Sequence, residues 1–96
     1  MTNEQIERQV EIVAPDEGFH ARPAAKFVRL ATSFRCDLWL EKDGMEVNAK
    51  SILGVLMLAA EKGSQLMIRA KGDDADDALT ALGDLIARGF EETHSV

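Results

Sequence analysis

The chain has 96 residues, 46% of them hydrophobic and 29% charged, with a formal net charge of −6. That length can bury one core and not two, so one domain over residues 1–96 is expected. The acidic balance, with pI ≈ 4.8, excludes nucleic acid or an anionic membrane as the main partner, while leaving docking onto a basic patch of another protein open.

The longest apolar stretch, Ile52 to Ala60, includes Gly54 and is far too short to span a membrane. The opening residues MTNEQIERQV lack a basic region followed by an apolar core. No secretory signal or membrane insertion is therefore expected, and a cytoplasmic location is. The lone Cys36 rules out an internal disulfide and, beside Trp39 and Leu40, reads as a buried strand residue rather than a reactive thiol.

In chain order, positions 6–13 read as a first strand through the partial alternation of Ile6, Val10 and Ile12. Pro15-Asp16-Glu17-Gly18 is a turn signal. From Arg22 to Ser33 the spacing of Ala24, Phe27, Val28 and Ala31 predicts a helix, with Pro23 placed in its first turn. Residues 35–41 alternate, with Cys36, Leu38 and Leu40 on one face and Trp39 beside Asp37 and Glu41 on the other. Lys42-Asp43-Gly44 signals a hairpin, and Met45 to Asn48 begins the return strand.

Ser51 precedes ILGVLMLAA, read as a short apolar helix in preference to a buried strand. Gln65 to Ala70 alternates as a fourth strand. A final helix follows from Ala75, Ala78, Leu79, Leu82, Leu85 and Ile86, with aspartates at 73, 74, 76 and 77 in its first turn and Gly89 as its stop. Residues 91–96 are expected to fray. Four alternating strands need only one buried face, so the expected class is α/β (α+β). It is an open-faced sandwich of order βαββαβα, with Trp39, Met67 and Arg69 on the uncovered side.

The chemistry gathers in Gly18-Phe19-His20-Ala21-Arg22-Pro23. A histidine at the head of a helix can be a nucleophile, and Arg is the side chain best shaped to hold a phosphoryl group. The helix start adds unpaired N–H groups from Ala21, Arg22 and, in this reading, Ala24 or Ala25, while Pro23 restricts the loop. These residues suggest a histidine that accepts and hands on a phosphoryl group. On the residues alone, a surface histidine or a plain helix cap competes with that reading. No metal is expected, because His94 is the only other histidine and no cluster of ligand spacing accompanies either one. GxxxxGK[ST], GxGxxG and GxSxG are absent, so neither a nucleotide loop nor a nucleophile elbow is present and no cofactor is expected.

GFHARP together with NAKSILGVLMLAAEKG resembles the HPr family of histidine-containing phosphocarriers of the bacterial phosphoenolpyruvate-dependent phosphotransferase system. The likeness runs from about Gln9 to Phe90. It implies four antiparallel strands in order 1-4-2-3 under three helices. It also implies that His20 takes phosphate on Nδ1 from phosphorylated enzyme I and passes it to an EIIA-type acceptor, with Arg22 stabilising the phosphate. Such a protein is a carrier that needs partner enzymes, not an enzyme itself, and a monomer suits the task.

Ser51 matches the serine that an HPr kinase/phosphorylase modifies in some members; by the residues alone it is also a plain helix cap. By family position, Ile52, Leu53 and Leu56 line the patch that docks on donor and acceptor, bordered by Phe19, Lys26 and Phe27, while Val55 and Leu58 read as core. The chain departs from the sugar-system pattern in Phe19, which stands where a small aliphatic residue is often found, and in its very apolar Leu56 to Ala60. Some of this resembles the nitrogen-related branch, so a nitrogen-type acceptor stays open beside a sugar-specific one. A regulatory protein that works by docking alone is a third reading. The intact HARP sequence speaks against a fourth, a small-ligand-binding module.

Overall fold

The element order is β1 (Ile6–Glu11), α1 (Ala21–Thr32), β2 (Asp37–Lys42), β3 (Met45–Asn48), α2 (Ile52–Met57), β4 (Gln65–Lys71) and α3 (Ala75–Ala87), in a computed structural model that describes residues 4–91. The strands form one antiparallel sheet in the order β1-β4-β2-β3. Its register sets Ile6 opposite Ala70, Leu40 opposite both Val47 and Ile68, and Trp39 opposite Asn48 and Arg69. Strand alternation then sends Val10, Leu38, Leu40, Leu66, Ile68 and Ala70 under the helices. Helices α1 and α3 close over them through Ala24, Phe27, Ala31, Ala78, Leu82 and Ile86, and α2 lies against α1 and β3. The expected fold class and strand order both hold.

The open face is polar and organised around Arg69. Glu41 and Glu46 stand directly opposite each other on β2 and β3, a pairing that repels in isolation. Arg69 resolves the conflict by donating to Glu41, to Glu46 at 2.9 Å and to Glu7 at 2.9 Å. Donation to Glu41, ahead of the other two carboxylates, pushes the guanidinium pKa further up and keeps the group charged. Trp39 and Met67 share this face and are half-buried.

Several boundaries differ from the sequence expectation for identifiable reasons. Strand β2 starts at Asp37 rather than at residue 35, because the N–H groups of Arg35 and Cys36 donate to the Asp74 carboxylate at 2.8 and 2.9 Å. Asp74 is the N-cap of α3 but makes no side-chain cap bond, since its oxygens are already engaged. The acidic residues of that helix's first turn are Asp76 and Asp77. Helix α2 ends three residues before Ala60, because Ala59 adopts φ +49° and closes it as a left-handed stop. Strand β1 ends at Glu11 and not at Val13. Beyond it the ladder slips, with Ile12 donating to the Ser64 carbonyl while Gly63 donates to the Ile12 carbonyl. Gly89 follows α3 at φ +66°, as expected of a stop. Among the described residues no helix is long and apolar enough to cross a membrane. His94 and most of the segment expected to fray lie outside the described residues.

Candidate functional site

His20 is the N-cap of α1. Its backbone is extended (φ −80°, ψ −173°), and its side chain makes no capping hydrogen bond. The imidazole is exposed. Because the His20 carbonyl accepts from Ala24 N–H at 3.0 Å, the helix ladder begins there. The N–H groups of Ala21 and Arg22 are left with no partner among the described residues. Pro23, buried in the first turn, has no N–H to leave over. Ala24, expected to offer its N–H to an anion, has already used it and is fully buried. Arg22 is exposed and makes no ion pair among the described residues. In contrast, Arg8 reaches the Leu79 carbonyl and Asp84. The head of α1 therefore presents an uncommitted imidazole, two uncommitted N–H donors and an uncommitted guanidinium. That set suits an anion held at a helix N-terminus.

The loop carrying His20 is anchored on both sides. Phe19 N–H donates to the Ala60 carbonyl at 2.8 Å, and Gly18 N–H donates to that of Pro15 at 2.8 Å. Gly18 sits at φ +67°, and a Cβ there would lie 1.9 Å from the Ala60 oxygen. The close approach of this loop to the segment after α2 thus requires glycine.

Ser51 is the N-cap of α2, and its Oγ accepts from Gly54 N–H at 3.1 Å. Unlike His20, it already performs the capping role its position suggests. Ile52 and Leu53 are exposed, Leu53 by 72%, and Met57 is exposed by 68%. Met57 was not singled out from sequence, although its position four residues after Leu53 on a helix carried the signal. Val55 and Leu58 are buried, as expected of core residues, and Leu56 is half-buried against the core.

Two of the expected docking residues are corrected outright. Phe19 is 3% exposed and Phe27 is not exposed at all. Their rings meet edge-to-face at 5.3 Å, and Phe19 also packs on Phe90 at 5.1 Å. Rings buried in this way cannot border a docking patch. Lys26 is half-buried, and its Nζ donates to the Phe90 carbonyl at 3.0 Å, tying α1 to the turn after α3.

A cavity of about 700 Å³ lies between the start of β2 and the β4–α3 connection, lined by Arg35, Cys36, Asp37, Lys71, Gly72, Asp73, Asp74 and Asp77. Here the Cys36 thiol is pushed up to about 11 by burial and by its hydrogen bond to Asp74, as expected of an inert buried cysteine.

An open-faced βαββαβα sandwich with this helix head defines the phosphocarrier class. Residues 6–88 match the family model described as "PTS HPr component phosphorylation site". The chain is 46% identical over 77 residues to HPr-like protein Crh of Bacillus subtilis, covering 80% of this chain and 89% of that one. It is 39% identical over 87 residues to phosphocarrier protein HPr of Neisseria meningitidis, covering 91% and 97%. The crystal structure of HPr from Thermoanaerobacter tengcongensis superposes with a TM-score of 0.86 at 44% identity, over 93% of this chain and 99% of that one. The chain belongs to the HPr family of phosphotransferase-system phosphocarriers, proteins that carry a phosphoryl group rather than catalyse on their own.

Proposed function

We propose that His20 is the phosphoryl carrier residue of this protein. Its imidazole Nδ1 attacks the phosphorus of the phosphohistidine on enzyme I, the P–N bond to the donor breaks, and a new P–N bond forms on His20. A nucleophilic side chain of an EIIA-type acceptor then attacks that phosphorus in turn, the P–N bond to His20 breaks, and the imidazole is returned free in the cytoplasm. The observation that carries this reading is the unfilled cap of α1, where an exposed imidazole stands without a cap bond beside two free N–H groups. Those donors and the Arg22 guanidinium are placed to bind the oxygens of a phosphoryl group on His20, in charge-assisted hydrogen bonds. The exposed Ile52 and Leu53, with Met57 added, supply an apolar face on which donor and acceptor can dock in turn.

Ser51 supports a second, regulatory use. Phosphorylation by an HPr kinase/phosphorylase would replace a neutral cap with roughly two negative charges beside that apolar face. The helix start tolerates the charge, whereas a partner surface built for the neutral form does not.

The test is transfer of label from phosphoenolpyruvate through purified enzyme I to wild-type protein and to His20→Ala. Acid-labile, base-stable label that is lost in the variant supports the carrier role. No label on wild type, with an authentic carrier working alongside, means a mismatched donor or a docking-only role, and repeating the assay with the host's own enzyme I separates the two. Offering sugar-specific and nitrogen-type acceptors to the loaded protein separates the two branches.

A further inference from the structure

We infer that the Gly89–Phe90 turn beyond α3 is the platform that holds the His20 loop in register, with Phe90 a positioning residue for phosphoryl transfer. The inference rests on the reading of His20 as the carrier. Phe90 adopts φ +67°, a left-handed backbone that a bulky residue seldom takes. Three contacts hold it there. Its N–H donates to the Leu85 carbonyl at 2.9 Å, its carbonyl accepts from Lys26 Nζ at 3.0 Å, and its ring packs on Phe19 at 5.1 Å.

The turn grips the loop at both ends. Phe90 meets Phe19, the residue directly before His20. Gly89 lies so close to the start of the loop that a Cβ on it would fall 2.9 Å from the Ala14 Cβ. Between these grips the loop has little regular pairing: Gly18 N–H to the Pro15 carbonyl, Phe19 N–H to that of Ala60, His20 N–H to that of Gly18, and a long bond from Lys62 N–H to the Asp16 carbonyl at 3.5 Å, beside the exposed Lys62–Asp16 ion pair. The imidazole has no cap bond to fix it. Its direction is therefore set through the backbone of Phe19, and the Phe19 ring is wedged between Phe27 and Phe90. Nucleophilic attack needs the nitrogen held on the line of approach, so loosening the wedge misaims the ring without touching any group that binds phosphate.

The test uses the full chain with Phe90→Ala, Phe90→Leu and Lys26→Met. Two readouts apply: steady-state transfer from phosphorylated enzyme I as carrier concentration varies, and the NMR resonances of the His20 imidazole in the free protein. Phe90→Ala is expected to lower kcat about tenfold with KM within about twofold, and to shift or broaden the His20 resonances while the sheet amides stay in place. Phe90→Leu, which keeps an apolar side chain, is expected to recover most of the rate. Wild-type kcat with unmoved His20 resonances in Phe90→Ala overturns the inference. If Phe90→Ala does not fold, Phe90→Leu and Lys26→Met decide it: His20 resonances moved in either variant, with kcat down about two- to threefold and the sheet amides in place, uphold it, and unmoved His20 resonances with wild-type kcat in both overturn it. A wild-type protein that takes no label on His20 sinks the carrier reading instead, and the imidazole resonances still report whether Phe90 sets the loop.

Discussion

Two helices in this protein begin with a residue proposed above to carry phosphate, and they begin differently. At the head of α2, Ser51 caps its own helix through Gly54 N–H. At the head of α1, His20 leaves its cap unfilled, and nothing else among the described residues fills it. Helix α3 offers a third case, in which Asp74 forgoes its cap because its carboxylate is turned to Arg35 and Cys36. A polar residue before a helix is thus tied into the structure by its side chain in two of the three and left without a side-chain cap bond in one. All three starts keep two N–H groups without a partner among the described residues: Ala21 and Arg22, Ile52 and Leu53, and Asp76 and Asp77. What sets α1 apart is the exposed imidazole beside them and the Arg22 guanidinium, unpaired among the described residues, where α2 carries apolar side chains and α3 carboxylates.

The contrast can be broken at the His20 end first. Gly18→Ala would force a Cβ into the Ala60 carbonyl at a left-handed position. A loss of about 3 kcal/mol or more is expected in urea unfolding, with the His20 loop displaced. Arg22→Met removes the free guanidinium and leaves the fold alone. It is expected to slow transfer onto His20 about 30-fold, equivalent to about 2 kcal/mol, with an unchanged unfolding midpoint.

At the Ser51 end the effect should fall on stability instead. Ser51→Ala is expected to cost about 1 kcal/mol by loss of the cap, and Ser51→Asp to stay within about 0.5 kcal/mol of wild type. Ser51→Ala should leave transfer from enzyme I to His20 intact, whereas Ser51→Asp should slow it by placing negative charge beside the docking face. The smallest effect belongs to Asp74, whose hydrogen bonds, first from Arg35 N–H, hold its pKa below the ordinary 3.8. A depressed folded-state value means the stability it confers is present above the ordinary pKa and is lost as pH falls through the folded one. Asp74→Asn should therefore flatten the acid limb of a stability–pH curve below about pH 4, as monitored by circular dichroism.

Local chemistry made much of this legible before any coordinates. Alternation placed Leu38 and Leu40 inward and Trp39 outward, and the spacing from Ala75 to Ile86 defined α3. A serine directly before an apolar helical run marked a cap that is made. The failures are non-local. Nothing near Phe19 announces that Phe27 and Phe90 will close over it, so its placement at the border of the docking patch, taken from family position, had no local check. Likewise, Asp74 trims the start of β2 from almost forty residues away, beyond the reach of any short window. Ala24 failed for a simpler reason, because whether an N–H is free depends on where the helix ladder begins, and helix ends are the least certain part of a sequence reading.

The most direct measurement is a paired ³¹P and ¹H–¹⁵N NMR experiment on wild-type protein, with phosphoenolpyruvate and a catalytic amount of enzyme I. The account predicts a single acid-labile phosphoramidate signal. It also predicts marked shifts of the Ala21 and Arg22 amides as they take up the phosphoryl oxygens, while the Gly54 amide, already bonded to Ser51, stays where it was. An acid-stable phosphomonoester signal, or a phosphohistidine that leaves the Ala21 and Arg22 amides unmoved, would contradict it.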